Sequence, residues 1–185
     1  MKKLIILLLS IIFIIFQIYS IVPSSVPNIN IPKDAKYMCY VDFGKLSCND
    51  RLYIYDVEKG KCIYSARVQH GNGGQSTAIT PEFSNKIGSN CSSLGLYKVT
   101  ISSKMNSNKY VDCLRLKGLS STNSNAEKRG ILIHPGISLS VIPKFPGLII
   151  PLTSESRGCF TVSILTMQIL KECFNKGNLY IYAYG

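Results

Sequence analysis

Tryptophan is absent from the 185 residues, and histidine occurs only twice, at His70 and His134. A zinc site built from several histidines is therefore excluded, because a structural or catalytic zinc needs three or four protein ligands. Any mechanism that uses an imidazole must use one of these two. None of the seven cysteines (Cys39, Cys48, Cys62, Cys91, Cys113, Cys159, Cys173) lies in Cys-x-x-Cys spacing. Zinc ribbons and thioredoxin-like redox motifs thus lose their basis. No internal repeat is present. Basic residues outnumber acidic ones, 21 to 10, yet no run of five basic residues and no nucleic-acid-binding module occurs. Nucleic acid is accordingly not expected as a partner. With 46% hydrophobic and 17% charged residues, the chain can build one sizeable core.

The N-terminus predicts export. Met1-Lys2-Lys3 is a short cationic start, and residues 4–22 follow without a formal charge. The stretch is longer than an ordinary signal-peptide core and borders on the length of a spanning helix. It reads either as a signal peptide, residues 1–20 cleaved after Ser20, or as a retained N-terminal anchor that tethers the chain to a membrane through residues 4–22. Both readings place the remainder outside the cytoplasm, since the lysine pair stays inside. Residues 21–36, with Pro23, Pro27 and Pro32, read as a linker. Residues 37–185 then form one domain, expected as a monomer. Its basic balance would draw it to anionic surfaces such as wall polymers. In an oxidising compartment seven cysteines predict disulfides, with an odd thiol left over. Six could pair in fifteen ways, among which the sequence does not choose, and some could be buried thiols.

The pattern after the linker is mostly strand. Residues 52–57 and 62–68, rich in aromatic and β-branched side chains, predict a hairpin turning at Lys59-Gly60. Residues 94–101 and 110–116 form a second pair. Residues 130–134 and 148–152 suit buried strands. One helix is expected, N-capped by Ser163, with Leu165, Ile169, Leu170 and Cys173 on one face and Gly177 as its stop. A strand over 178–184 closes the chain. The fold class is mainly β, a sandwich or barrel carrying one short helix after Cys159.

Two segments carry chemistry. In the first, an apolar strand delivers His134, and Pro135 holds it extended. In the second, Ser156-Arg157-Gly158-Cys159-Phe160, the glycine removes bulk beside the sulfur. Placed near a helix N-terminus and Arg157, the Cys159 thiol is expected below its ordinary pKa, and backbone N–H groups there can hold an oxyanion. A cysteine and a histidine are the minimum for thiol acyl transfer. The bland alternatives are a structural thiol and a satisfied polar histidine.

In this order, Ile133-His134 and Ser156-Arg157-Gly158-Cys159 resemble the L,D-transpeptidase (YkuD-type) family, in particular its murein L,D-transpeptidase catalytic domain subgroup. Collinear matches extend over residues 37–185: Tyr40-Val41-Asp42-Phe43, residues 51–56, His70-Gly71, Phe83-Ser84-Asn85, Gly88-Ser89, residues 92–97, residues 116–119, Asn125-Ala126, Arg129 and residues 179–182. The resemblance implies a β-rich, L,D-transpeptidase-like fold of mixed sheets and a thioester on the third residue of a peptidoglycan stem tetrapeptide, with release of D-alanine. An amine acceptor gives a 3→3 crosslink, and water gives L,D-carboxypeptidase activity, a hydrolase reaction. It assigns Cys159 as nucleophile, His134 as general base, the Gly158 and Cys159 amides as oxyanion donors and Ser156 as the residue that shapes the turn. His70, Gly71 and Arg157 are assigned to the substrate side, and no metal or organic cofactor is implied. Pro135 stands where relatives commonly have glycine, Arg157 where many have histidine, and Phe160 where smaller residues are common. The alternative is an exported wall-binding domain of the same fold without activity. A sortase would need an arginine after the cysteine, and none follows Cys159.

Overall fold

The computed structural model describes residues 27–103, 113–136, 139 and 156–185. The expected strand over 148–152 and the N-terminal segment 1–22 lie outside the described residues. Eight strands form one sheet: β1 (Tyr37–Asp42), β2 (Leu52–Asp56), β3 (Lys61–Ala66), β4 (Gly95–Ser103), β5 (Cys113–Gly118), β6 (Leu132–Pro135), β7 (Phe160–Val162) and β8 (Leu179–Tyr184). Their order is β3-β2-β1-β8-β4-β5-β6-β7. The pairs β1–β8 and β6–β7 are parallel and the others antiparallel. Beyond β3 the chain continues to Gln69, which bridges Thr161 of β7. The two edges of the sheet thus approach each other and the sheet nearly closes into a barrel, the β-rich fold expected from the alternating segments.

Strand alternation explains the core. Cys39 and Val41 of β1, Leu52 and Ile54 of β2, Leu179, Ile181 and Ala183 of β8, and Ile133, Phe160 and Val162 share one buried cluster. Burying these faces removes apolar surface from water, which stabilises the fold by about 25 cal/mol per Å². The second face of β1 and β8 carries Met38, Tyr40 and Tyr180, packed with Ile29 and Ala35 from the predicted linker. Asp34 in that segment accepts from Tyr180 Oη at 2.8 Å and from Asn178 Nδ2 at 3.0 Å, and it ion-pairs with Lys98 at 3.2 Å. The end of the linker is therefore tied to the domain.

The helix α1 (Ile164–Lys176) forms as expected. Its N-cap Ser163 accepts from Thr166 N at 3.1 Å, and Gly177 N–H returns to Cys173 O. The buried face is shifted from the one read off the sequence: Thr166, Met167, Leu170 and Cys173 are buried, while Leu165 is 60% exposed. Leu170 and Cys173 are buried as expected and Ile169 packs against the core, but in the first turn it is Thr166, 3.1 Å from Tyr64 Oη, that faces the sheet, which turns Leu165 outward. The disulfide framework expected from seven cysteines is also absent, since all seven are free thiols. Cys39, Cys91, Cys113 and Cys173 are buried, and as small apolar side chains they suit strand and helix interiors.

Arg51 is fully buried and organises the chain leading to Gln69. It donates from Nε to Val68 O at 2.8 Å, from Nη1 to Lys45 O at 3.0 Å, and from Nη2 to His70 Nδ1 at 2.9 Å. Arginine has no acceptor, so His70 Nδ1 must be the lone-pair nitrogen. The proton then sits on Nε2, which donates to Thr77 O at 2.8 Å. Burial, reinforced by the Arg51 charge, lowers the His70 pKa to about 4. In the unfolded chain the ring titrates near its ordinary value of about 6.5. Below that pH unfolding takes up a proton, so this contribution to stability is complete above about 6.5 and is lost as the pH falls towards 4. The loss amounts to at most about 3 kcal/mol. His134, also held neutral by burial, acts in the same direction. Urea unfolding at pH 7 and pH 4.5 should show this drop in the wild type and a clearly smaller drop in His70→Gln. Equal drops in both proteins would contradict the assignment.

Candidate active site

The site lies where β6, β7 and the bridging segment run side by side. The register pairs His134 with Thr161, and the isolated bridge pairs Thr161 with Gln69. Extending the β5–β6 register by one residue sets Cys113 beside His134. Paired residues on neighbouring strands point to the same face. Cys113, His134, Thr161 and Gln69 thus form one row, and the alternate residues Leu114, Ile133, Phe160 and His70 turn towards the core. Cys159 stands immediately before β7, two residues short of Thr161. Leu132 N donates to its Sγ at 3.4 Å, and Gly130 O lies 3.9 Å from the sulfur. The sulfur therefore rests over the start of β6, two residue levels before His134. At about 3.3 Å per residue, the two levels are about 7 Å apart, within the combined reach of the two side chains.

His134 is buried, with Nδ1 3.0 Å from the Pro135 carbonyl oxygen. A carbonyl only accepts, so Nδ1 carries the proton and Nε2 keeps its lone pair. Proline in place of glycine leaves this carbonyl intact. Burial lowers the His134 pKa, partly offset by that hydrogen bond. For Cys159 the outcome reverses the expectation. Burial raises the thiol pKa, with only partial relief from the Leu132 N–H and the charge of Arg129. The expected helix N-terminus is not at the sulfur: β7 intervenes, and the helix is capped four residues later by Ser163. Arg157 is exposed, and the cation that acts on the sulfur is Arg129. Burial thus favours the uncharged form of both side chains.

The turn before Cys159 is held from several sides. Gly158 adopts φ 104°, and a Cβ there would come within 2.7 Å of Cys91 O and 2.9 Å of Arg129 Nη2. Glycine is needed on both counts. Ser92 Oγ donates to Gly158 O at 3.1 Å and accepts from Gly71 N at 2.9 Å. Ser156 Oγ donates to Cys159 O at 2.7 Å, and Asn72 N donates to Ser156 O at 2.9 Å. A Cβ on Gly71 would fall 2.6 Å from Gly158 N, so Gly71 lets these two backbones touch. The structure thus brings Ser156, Gly158, Cys159, His134 and Gly71 together. It does not bring His70 to the site, because that ring points to Phe43 with a centroid separation of 6.2 Å.

Sequence reading had no role for three residues. Arg129 donates to Ser84 O at 2.7 Å and also to Cys91 O, tying the 84–93 loop to the start of β6. Asn85 clips the same loop to the 3-10 turn Ser121–Asn123, donating from Nδ2 to Ser121 O and Ser124 Oγ, each at 3.0 Å. Thr161 falls on β7, a strand that the sequence pattern does not predict, and only the register that sets it beside His134 draws attention to it. Among the described residues no cluster of three His, Cys, Asp or Glu is placed to hold a metal.

Together the nearly closed sheet and the strand-borne thiol and imidazole define a β-barrel-like domain with a cysteine–histidine centre at one sheet edge. The family model for the L,D-transpeptidase catalytic domain matches residues 20–184, and the chain belongs to that family. Among solved structures it is similar to an L,D-transpeptidase of Stackebrandtia nassauensis, with 15% identity, TM-score 0.52, and coverage of 90% of this chain and 63% of that one. It is also similar to the helical cell shape determining protein Pgp2 of Campylobacter jejuni, with 13% identity, TM-score 0.51, and coverage of 82% and 48%. The chain spans about half the length of Pgp2 and less than two thirds of the Stackebrandtia protein. No curated protein matches its sequence.

Substitution separates the residues that build this turn from those on its surface. Gly158→Ala should lose about 1–3 kcal/mol through its φ and the clash with Cys91 O. Arg157→Ala, on an exposed side chain, should stay within about 0.5 kcal/mol of the wild type. Thermal unfolding of both variants measures the contrast, and equal stabilities would refute the account of the turn.

Proposed function

We propose that the chain is an exported cysteine acyltransferase that acts on peptidoglycan stem peptides, an L,D-transpeptidase, or an L,D-carboxypeptidase when water is the acceptor. One observation carries this reading: the register sets the imidazole of His134 on the strand beside Cys159, two residue levels on, with Nδ1 tied to the Pro135 carbonyl. Family membership supports the substrate class. The cationic start and the apolar residues 4–22 support export, with either cleavage after Ser20 or a membrane tether.

In the first half-reaction His134 Nε2 takes the proton of the Cys159 thiol as sulfur attacks the carbonyl of the third stem residue. The oxyanion is held by the Gly158 and Cys159 backbone N–H groups. As the C–N bond breaks, the imidazolium gives its proton to the departing D-alanine amine, which leaves a thioester. In the second half an amine or water gives a proton to Nε2 and attacks the thioester. The C–S bond breaks, and the thiol is restored by the imidazolium. Arg157, exposed at the turn, is suited to pair with a substrate carboxylate. Neither half-reaction requires a cofactor. A neutral thiol and a neutral imidazole fit a proton transfer concerted with attack, and they fit a preformed ion pair poorly.

The test is release of D-alanine from a stem tetrapeptide, with intact-protein mass spectrometry to detect the thioester. Cys159→Ala should abolish both. His134→Gln should lower kcat/KM by about 10²–10⁴. Because His134 must be neutral and its pKa is lowered, activity should rise with pH through a midpoint below about 6.5, the ordinary histidine value. Retained turnover in Cys159→Ala would refute the reading. Wall binding without turnover in the wild type would favour an inactive binding domain of the same fold.

A further inference from the structure

Among the described residues, one buried side-chain oxygen of the site has no hydrogen-bond partner: Thr161 is only 5% exposed, yet its Oγ1 makes no hydrogen bond. A buried hydroxyl left without a partner is costly, so such groups are rare unless something else satisfies them. Its position gives the reason. Thr161 is the register partner of His134 on β6, and it follows Cys159 by two residues on β7. On its other side stands Gln69, joined to it by reciprocal backbone hydrogen bonds of 2.8 and 3.1 Å. The methyl group is fixed against Gly136, where any Cβ would overlap Thr161 Cγ2. Thr161 therefore stands in the row that holds the imidazole, two residues along the chain from Cys159.

We propose that the Thr161 hydroxyl is a substrate-positioning group that receives the second hydrogen of the acceptor amine while His134 Nε2 receives the first. The proposal rests on the acyltransfer reading above and names the part of the site that handles the acceptor. A neutral primary amine attacking a thioester carries two N–H bonds. One proton passes to Nε2 as the C–N bond forms and the C–S bond breaks, and the Cys159 thiolate recovers that proton from the imidazolium. The other N–H stays on nitrogen and needs an acceptor to fix the direction of the lone pair. A hydroxyl has two lone pairs and keeps its own proton throughout. Orienting the nucleophile in this way is a source of rate that an apolar neighbour cannot supply.

The test isolates the second half-reaction. Cys159 is loaded by exchange from an activated stem-tripeptide thiophenyl thioester, whose leaving thiolate needs no proton. Resolution of the acyl-enzyme by an amine-bearing stem tetrapeptide is then followed by intact-protein mass spectrometry. Thr161→Val keeps the shape and removes the hydroxyl. It should load within about threefold of the wild type and resolve about tenfold more slowly, or require a tenfold higher amine concentration, the worth of one hydrogen bond. Thr161→Ser should restore resolution to within about threefold. Unchanged resolution in Thr161→Val, with wild-type protein that loads and resolves, would overturn the proposal alone. An equal slowing of loading and resolution would overturn it by showing a merely structural role. Wild-type protein that never loads at Cys159 would overturn both this proposal and the reading on which it rests.

Discussion

The two hydrogen bonds between the backbones of Gln69 and Thr161 hold this architecture together. At 2.8 and 3.1 Å, they join the chain that continues from β3 to β7, the opposite edge of the sheet. Through them a segment about 90 residues earlier in sequence is laid against β7, the strand that begins just after Cys159. Everything at the site uses that junction. Alternation along residues 69–71 then sends Gln69 and Gly71 to the site and His70 to the core. There Arg51 and Thr77 fix the ring. The absence of a side chain on Gly71 brings the segment close enough for Ser92 and Asn72 to brace the turn around Gly158. A buried arginine beneath the junction, satisfied by carbonyls and a neutral imidazole, supplies stiffness from behind. Without the junction the sheet would have two open edges, and the cysteine would sit at the free end of a three-residue strand.

The electrostatics of the pair follow from the same packing. His134 is buried and Cys159 half-buried, and desolvation favours the uncharged form of each: the thiol rises and the imidazole falls. The features that offset burial are local and modest, a strand amide and the guanidinium of Arg129 at the sulfur and one carbonyl at the imidazole. A helix N-terminus at the sulfur would favour a thiolate, but β7 separates Cys159 from the N-terminus of α1, and the charge of Arg129 only partly offsets burial. The chemistry this arrangement serves is proton transfer at the moment of attack, in which a neutral base of low pKa stays available over a wide pH range.

Much of the fold was legible from local pattern. The 52–56 and 61–66 hairpin, the helix with Ser163 and Gly177 at its ends, and the closing strand all have the periodicity and the end residues that strands and helices require. The cysteine and histidine segments were legible as chemistry because glycine, proline and an apolar strand surround them. What local pattern could not show is register. Whether His70 faces the site or the core depends on a single-residue alternation set by a bridge to residue 161. The partner of Arg129 is a loop about 40 residues away. On α1 the pattern finds Leu170 and Cys173, and the face differs at Leu165, Thr166 and Met167 because burial there is decided by where the first turns meet the sheet. The disulfides were inferred from compartment and count, whereas the strands hold their cysteines as separate thiols among other apolar side chains. Thr161 was invisible for the same reason as the junction, because its significance comes from what stands beside it.

The claim that the rest depends on is the state of the resting pair, and site-resolved alkylation measures it directly. Wild-type protein treated with iodoacetamide across pH 5–10, with peptide mapping to separate Cys159 from the other six cysteines, gives the ionisation of that one sulfur. The account predicts slow labelling at neutral pH that rises only above the ordinary thiol range, with the same midpoint in His134→Gln. A plateau of fast labelling between pH 5 and 7 that disappears in His134→Gln would show a thiolate–imidazolium pair and would contradict it.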